Sequence, residues 1–248
     1  GVHAGHHTII QTIQEKAKSI AGEAILLTFF PHPRKILFSD STFKLINTIE
    51  EKVENLERLG LDNLVIYPFS RDFSTMSPEE YIEEVLIKKF KPKAIVIGYD
   101  HRFGAQRKGD IETFRFFQEK YHYELIEINP QSINEMIVSS SKIRTALSTG
   151  NIELANQLLG YPYSLKGRIV KGNQLGRTIG FPTANIELED GDKLIPMNGV
   201  YGVEVINKDN AVLRGIMNIG LRPTVDGHFQ TIEVHILDFN RDIYGEKW

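Results

Sequence analysis

The chain has 248 residues, with 29 Lys+Arg against 32 Asp+Glu for a net charge of −3, and it is 41% hydrophobic and 25% charged. That length suits two domains with separate cores, and a charge so near neutral gives no reason to expect nucleic acid or an anionic membrane as partner. With no cysteine, disulfide scaffolds, zinc–thiolate sites, iron–sulfur clusters and cysteine nucleophiles are excluded, a reducing cytoplasmic setting fits, and no apolar run approaches the ~18 residues that span a bilayer.

Ile9, Ile10, Ile13, Ala17 and Ile20 share one helical face that Gly22 closes, and residues 24–30 read as a buried strand. A second amphipathic helix over 42–59 follows Asp40-Ser41, with a strand at 64–67 after it. Ser77-Pro78-Glu79-Glu80 supplies an N-cap, a proline at the first helical position and a glutamate at the third, which is a capping box for a helix over 78–90. A strand at 94–97, a helix at 110–121, a strand at 123–128 and short helices at about 141–148 and 152–159 continue the alternation. Strands separated by helices of crossover length predict a parallel sheet, hence a doubly wound, Rossmann-like α/β domain over residues 1–160.

The texture then changes: nine glycines fall in residues 1–160 and eleven in the shorter remainder. Runs at 165–170, 200–206, 211–219 and 231–238 are strand-like, with Asn207-Lys208-Asp209-Asn210 as a hairpin turn. Strands without helices predict a small antiparallel β-barrel over 161–248, joined by a linker at 160–164.

His3-Ala4-Gly5-His6 stands just before the first helix. Two imidazoles three apart, with a glycine between them, can hydrogen-bond a polyphosphate, and the helix N-terminus adds free N–H groups and a positive dipole end. Such donors stabilise charge building up on a pentacoordinate phosphorus. The same residues also suit a plain histidine-rich loop, or a metal pair that lacks any Cys, Asp or Glu nearby in sequence. Ser139-Ser140-Ser141-Lys142-Ile143-Arg144 opens a later helix, where hydroxyls, free N–H groups and Arg144 one turn in make either a second phosphate cradle or a serine-rich N-cap.

Together the His-x-Gly-His and Ser-Ser-x-x-Ile-Arg segments resemble the nucleotidyltransferase superfamily. The resemblance implies His3, Gly5, His6, Ser140, Ser141 and Arg144 as the site for ATP phosphates, with His3 and His6 catalytic. Thr28-Phe29-Phe30-Pro31-His32-Pro33 follows one strand, and residues 98–109 follow another, at the carboxyl ends where open α/β sheets bind ligands. These segments resemble the Phe-x-Pro-His-Pro and Gly-x-Asp-Phe-Arg-Phe-Gly signatures of prokaryotic bifunctional FAD synthetase, a riboflavin kinase/FMN adenylyltransferase. His101 stands where that family usually has Phe. The resemblance implies Phe30, Pro31, His32, Asp100 and Arg102 on the flavin side. Without it, His32 between two prolines reads as a rigid turn, and Arg102, Arg107 and Lys108 as a solvated loop.

Residues 167–185 carry four glycines that permit backbone N–H groups to wrap phosphates, and Thr183 and Asn185 offer hard oxygens of the kind Mg²⁺ accepts. No Gly-Lys-Ser/Thr ends the run, so it is not a Walker loop, and by itself it also reads as a turn-rich loop. The string resembles the ATP-and-magnesium loop of riboflavin kinase, and residues 196–201, 218–224 and 231–235 match further kinase signatures in order. The resemblance implies a Greek-key barrel, with Gly167, Val170, Gly172, Gly176, Gly180, Pro182, Thr183 and Asn185 at the kinase ATP site. It also implies Thr183 and Asn185 as Mg²⁺ ligands and Glu233 as catalytic base. A ribityl hydroxyl attacking the γ-phosphorus must lose its proton, so the chemistry asks for such a group. His235, on the same strand face as Glu233 by the period of two, either orients the base or packs.

The resemblance spans essentially the whole chain. It implies phosphorylation of riboflavin to FMN by the C-terminal domain and adenylylation of FMN to FAD, with pyrophosphate released, by the N-terminal domain. ATP is then substrate in both reactions, Mg²⁺ the cofactor, and the partners are small molecules rather than nucleic acid or membrane, with self-association not readable. The rival readings are a flavin- or nucleotide-binding regulator and an enzyme with one live activity or another adenylyl acceptor. Because the family has a strand before His-x-Gly-His and a strand and helix beyond Trp248, the sequence is expected to be short at both ends and weak in FAD formation as it stands.

Overall fold

A computed structural model of the protein describes residues 1–38, 42–98, 101–128, 138–172, 180–224 and 227–248, without side chains at 223, 224 and 227–229. By internal contacts the chain forms two compact units, Gly1–Ser140 and Ser141–Trp248.

In the first unit, helix α1 (Ala4–Ser19) leads to β1 (Ile25–Phe30) and a short α2 (Pro33–Phe38). Helix α3 (Ile49–Arg58) then crosses to β2 (Asn63–Pro68), which pairs parallel to β1 from Ile25↔Asn63 to Phe30↔Pro68. The helix expected from residue 42 starts seven residues later. Thr48 caps it: Glu51 N–H donates to Thr48 Oγ1 at 3.2 Å and Thr48 N–H to Glu51 Oε2 at 3.1 Å. A reciprocal Thr-x-x-Glu box satisfies two end donors at once, which outcompetes the upstream Asp-Ser signal. Val2, Ile10 and Leu56 bury together with Leu26 and Leu64, pinning α1 and α3 to this strand pair.

After α4 (Arg71–Ser74), the Ser77–Glu80 box opens a helix over 78–90, called α5, whose middle, Tyr81–Ile87, is π-helical. Strand β3 (Ala94–Gly98), α6 (Ile111–Tyr121) and β4 (Glu124–Ile128) make a second parallel unit in register from Ala94↔Glu124 to Gly98↔Ile128. Tyr81, Ile82, Val85, Ile97, Phe114 and Phe117 form its core. The parallel pairing that crossover helices predict is therefore present, as two two-stranded sheets.

Helices α7 (Ser140–Ser148) and α8 (Ile152–Leu159) follow, and Gly160 ends α8 in the left-handed region at φ +84°. The second unit's sheet contains β5 (Gly167–Val170), β6 (Ala184–Leu188), β7 (Gly199–Ile206), β8 (Val212–Thr224) and β9 (Gly227–Ile236). They are antiparallel and lie in the order β5-β6-β9-β8-β7. Among the described residues the sheet is open rather than a closed barrel. Its β5 edge is taken instead by residues 245–248, where Gly167 and Trp248 exchange two backbone hydrogen bonds of 3.0 Å. Asn207 shapes the predicted hairpin, its Oδ1 accepting from Asp209 N–H at 2.9 Å and Ala211 N–H at 2.8 Å. On β9, Ile232, Val234 and Ile236 are buried, so the period of two sends Glu233 and His235 to the opposite face.

Candidate functional site

In the first unit, His3 is the extended N-cap of α1 and His6 lies in its first turn, with ring centroids 3.9 Å apart. The His3 backbone N–H donates to His6 Nδ1 at 3.3 Å. A nitrogen that accepts is unprotonated, so in the neutral ring Nε2 carries the hydrogen and is the donor left for a ligand. His3 Nδ1 is buried and lacks a hydrogen-bond partner among the described residues, a cost that an incoming polar ligand would relieve. Gly5, between them, is buried.

Burial lowers the His3 pKa to about 4. Burial, then the His3 charge, holds His6 well below its ordinary value. At neutral pH both rings are uncharged and act as dipolar donors. The unfolded chain binds more protons than the folded one between about pH 4 and pH 6.5, so stability is complete above that window and falls as pH drops through it. For His3 alone the loss is roughly 3 kcal/mol. The melting temperature followed by circular dichroism should fall across this window, and His3→Asn, which keeps a good N-cap, should flatten the fall.

The flavin-side residues expected from sequence fall at two strand ends. Phe30, whose bond to Pro31 is cis, ends β1 and is 43% exposed. His32 packs its ring on Phe43 at 4.8 Å, and its Nδ1 accepts from Arg34 N–H at 3.2 Å. Arg102 forms an ion pair with Asp110 at 2.7 Å. Asp110 in turn caps α6 by accepting from Glu112 and Thr113 N–H, and the Thr113 bond, with Arg102 assisting, holds its carboxyl below the ordinary value. His101 stacks on Phe103 with centroids 5.8 Å apart, so it fills an aromatic packing position. Asp100 lies outside the described residues.

Gly104 follows at φ +69°, where an added Cβ would meet Pro78 N at 2.7 Å. Left-handed backbone and a backbone clash act together at this position, which seats the 103–109 loop on the start of α5. Gly104→Ala should lower stability by about 1–3 kcal/mol in urea unfolding. Ser140, Ser141 and Arg144 occupy the first turn and a half of α7.

In the second unit the residues expected from sequence at the kinase site converge on β6 and β9. Asn185 is the direct cross-strand partner of Glu233, and Asn218 of β8 is its partner on the other side. Directly opposed residues share a face, which makes an Asn185–Glu233–Asn218 row across three strands. Thr183 Oγ1 donates to Glu233 Oε2 at 3.2 Å. His235 Nδ1 lies 2.8 Å from the Pro182 carbonyl oxygen, so Nδ1 carries a hydrogen, and its ring meets Phe181 edge-on at 5.4 Å. Val170 pairs with Asn185 and Gly167 with Leu188. Asn185 packs so tightly on Gly172 that a Cβ there would fall 2.2 Å from its Nδ2. Gly180 sits at φ +83°, and Gly176 lies outside the described residues. The structure thus brings Val170, Gly172, Pro182, Thr183, Asn185 and Glu233 together, and adds Asn218, which sequence had placed only within a signature. Elsewhere, no group of three or more His, Asp or Glu suited to a metal ion occurs among the described residues.

Residues 1–142 match the family model of FAD synthetase, and residues 159–248 that of riboflavin kinase. The bifunctional riboflavin kinase/FMN adenylyltransferase of Escherichia coli (strain K12) is 36% identical over 245 residues, 99% of this chain and 78% of that protein. The protein of the same description from Listeria monocytogenes serovar 1/2a is 37% identical over 254 residues, 100% and 78% of the two chains. The chain belongs to the bifunctional riboflavin kinase/FMN adenylyltransferase family. A crystal structure described as a macrolide-efflux protein from Streptococcus pneumoniae is also similar, with a TM-score of 0.89 at 33% identity over 99% of this chain and 79% of that one. Among the described residues no helix is long and apolar enough to cross a membrane. In this family's domain order the paired histidines fall in the FAD synthetase half and the Glu233 row in the riboflavin kinase half.

Proposed function

We propose that the C-terminal domain, 161–248, phosphorylates riboflavin to FMN and that the N-terminal domain, 1–160, adenylylates FMN to FAD, both with ATP in the cytoplasm. The observation that carries the reading is the carboxylate of Glu233 held by Thr183 and flanked by Asn185 and Asn218. Glu233 accepts the proton of the attacking ribityl hydroxyl as the bond to the γ-phosphorus forms and ADP departs. Thr183 spends its hydroxyl hydrogen on Glu233, which orients the base and leaves the oxygen lone pairs facing away. Those lone pairs and the Asn185 carbonyl are oxygens that suit Mg²⁺, which would neutralise phosphate charge in this site. His235 ties the Pro182 carbonyl to β9, and so fixes the turn that presents Thr183.

In the other site, an FMN phosphate oxygen attacks the α-phosphorus of ATP, and the electron pair of the broken bond leaves with pyrophosphate. Neutral His3 and His6 donate hydrogen bonds to phosphoryl oxygens as their charge grows. Incubation with riboflavin and MgATP, with products separated by chromatography, tests the whole reading. FMN appearing first and FAD after it is the expected course. FMN without FAD would leave one live activity, and neither product would make the chain a binding protein.

A further inference from the structure

Glycine inside a strand weakens it, and its use there marks a bulge, a close approach of backbone or a ligand that must come near. The strand glycines of the second unit divide by this rule. A Cβ on Gly167 would strike the Glu187 carbonyl oxygen of β6, and one on Gly215 would fall 2.9 Å from the His235 carbonyl oxygen of β9, so neighbouring strands demand both glycines. Gly220 of β8 is different. Its pairing with β9 runs in unbroken register from Gly215↔Ile236 to Leu221↔Gln230, so no bulge requires it. Its φ lies outside the left-handed region, and a Cβ there would meet its nearest described atoms at 3.5 and 3.9 Å, which are ordinary contact distances.

Those two atoms are polar: Asn218 Nδ2 and Thr231 Oγ1. Gly220 pairs directly with Thr231, and Asn218 directly with Glu233, so by the period of two all four stand on one face. A carboxamide and a hydroxyl thus converge over Gly220, about 7 Å along the diagonal from the residue whose carboxylate Thr183 holds. Between them they donate and accept, as an alcohol requires of its neighbours.

We propose that Gly220, Asn218 and Thr231 seat the ribityl chain of the kinase substrate and set the specificity for its polyol. The proposal rests on the reading of Glu233 as the base. A chain whose terminal hydroxyl reaches Glu233 spans the diagonal and lays an inner hydroxyl over Gly220. The missing Cβ lets that carbon approach the strand backbone, and Asn218 and Thr231 bond the hydroxyl it carries. The terminal hydroxyl is thereby held in position to lose its proton.

Steady-state FMN formation and thermal melting should be compared in the parent, Gly220→Ala, the double variant Asn218→Ala/Thr231→Val, and Glu233→Gln. The substrates are riboflavin and the analogues that each lack one inner ribityl hydroxyl. Gly220→Ala is expected to lose roughly 10–100-fold in kcat/KM, mainly through a higher KM for riboflavin. Its KM for MgATP should stay parental and it should melt at or above the parental temperature, because the methyl meets only ordinary contacts in the protein. The parent should prefer riboflavin to one of the analogues by about tenfold, and the double variant should lose that preference. Parental KM for riboflavin in Gly220→Ala, or an undiminished preference in the double variant, alongside an inactive Glu233→Gln, would overturn this seat alone. A loss in Gly220→Ala that raises both KM values alike, or that tracks a fall in melting temperature, would also overturn it by making the glycine structural. FMN formation at the parental rate in Glu233→Gln would bring down the reading of the base and this proposal with it.

Discussion

Glu233→Gln is expected to abolish FMN formation while FAD formation from supplied FMN continues at the parental rate. A positioned general base contributes roughly 10²–10⁴-fold, and glutamine cannot take the ribityl proton. The substitution is nearly isosteric, and its amide oxygen can still accept the Thr183 hydroxyl that lies 3.2 Å from the carboxylate. Ile232 and Val234, which anchor β9 in the core, are untouched, so the melting temperature should hold and the loss can be read as chemistry. The two reactions must be assayed separately, the first with riboflavin and the second with FMN. Kinase turnover within a few-fold of the parent would remove Glu233 from the role of base.

Local chemistry made much of the fold readable. The Ser77–Glu80 box fixed the start of α5, and alternation along β9 put Glu233 and His235 on one face, as the structure has them. Where two local signals competed, the sequence misled: Asp40-Ser41 looked like a cap, yet Thr48 with Glu51 closes both halves of a box. Strand β6 went unseen because Phe181-Pro182-Thr183 reads as loop; Ala184–Leu188 becomes strand only through its partners on β5 and β9, which are distant in sequence. The candidate sites divide in the same way. Residue identity and spacing marked His3, His6, Thr183 and Asn185, and the resemblance to riboflavin kinase marked Glu233. The neutral state of the histidines comes from burial, which no spacing reveals.

His6→Ala should abolish FAD formation and leave riboflavin phosphorylation intact. Because His6 Nδ1 is occupied by the His3 backbone N–H, the donor removed is Nε2–H, the one available to a phosphoryl oxygen. Loss of such a donor costs around 2.7–4 kcal/mol of transition-state stabilisation, or about 10²–10³-fold in kcat. The effect should appear mainly in kcat, since a bond that strengthens as phosphoryl charge grows contributes little to ground-state affinity. The substitution also frees the His3 N–H at the helix start, a capping loss of about 1 kcal/mol, so a modest fall in melting temperature is expected at neutral pH. As pH falls below the ordinary histidine range the comparison should narrow, because the unfolded parent gains a proton at His6 that burial denies the folded one, and the variant has no such ring. Activity and stability therefore move independently: a large loss of FAD formation beside a small, pH-dependent change in melting marks a catalytic donor. A loss of FAD formation no larger than the change in folded fraction would instead make His6 a helix cap and nothing more.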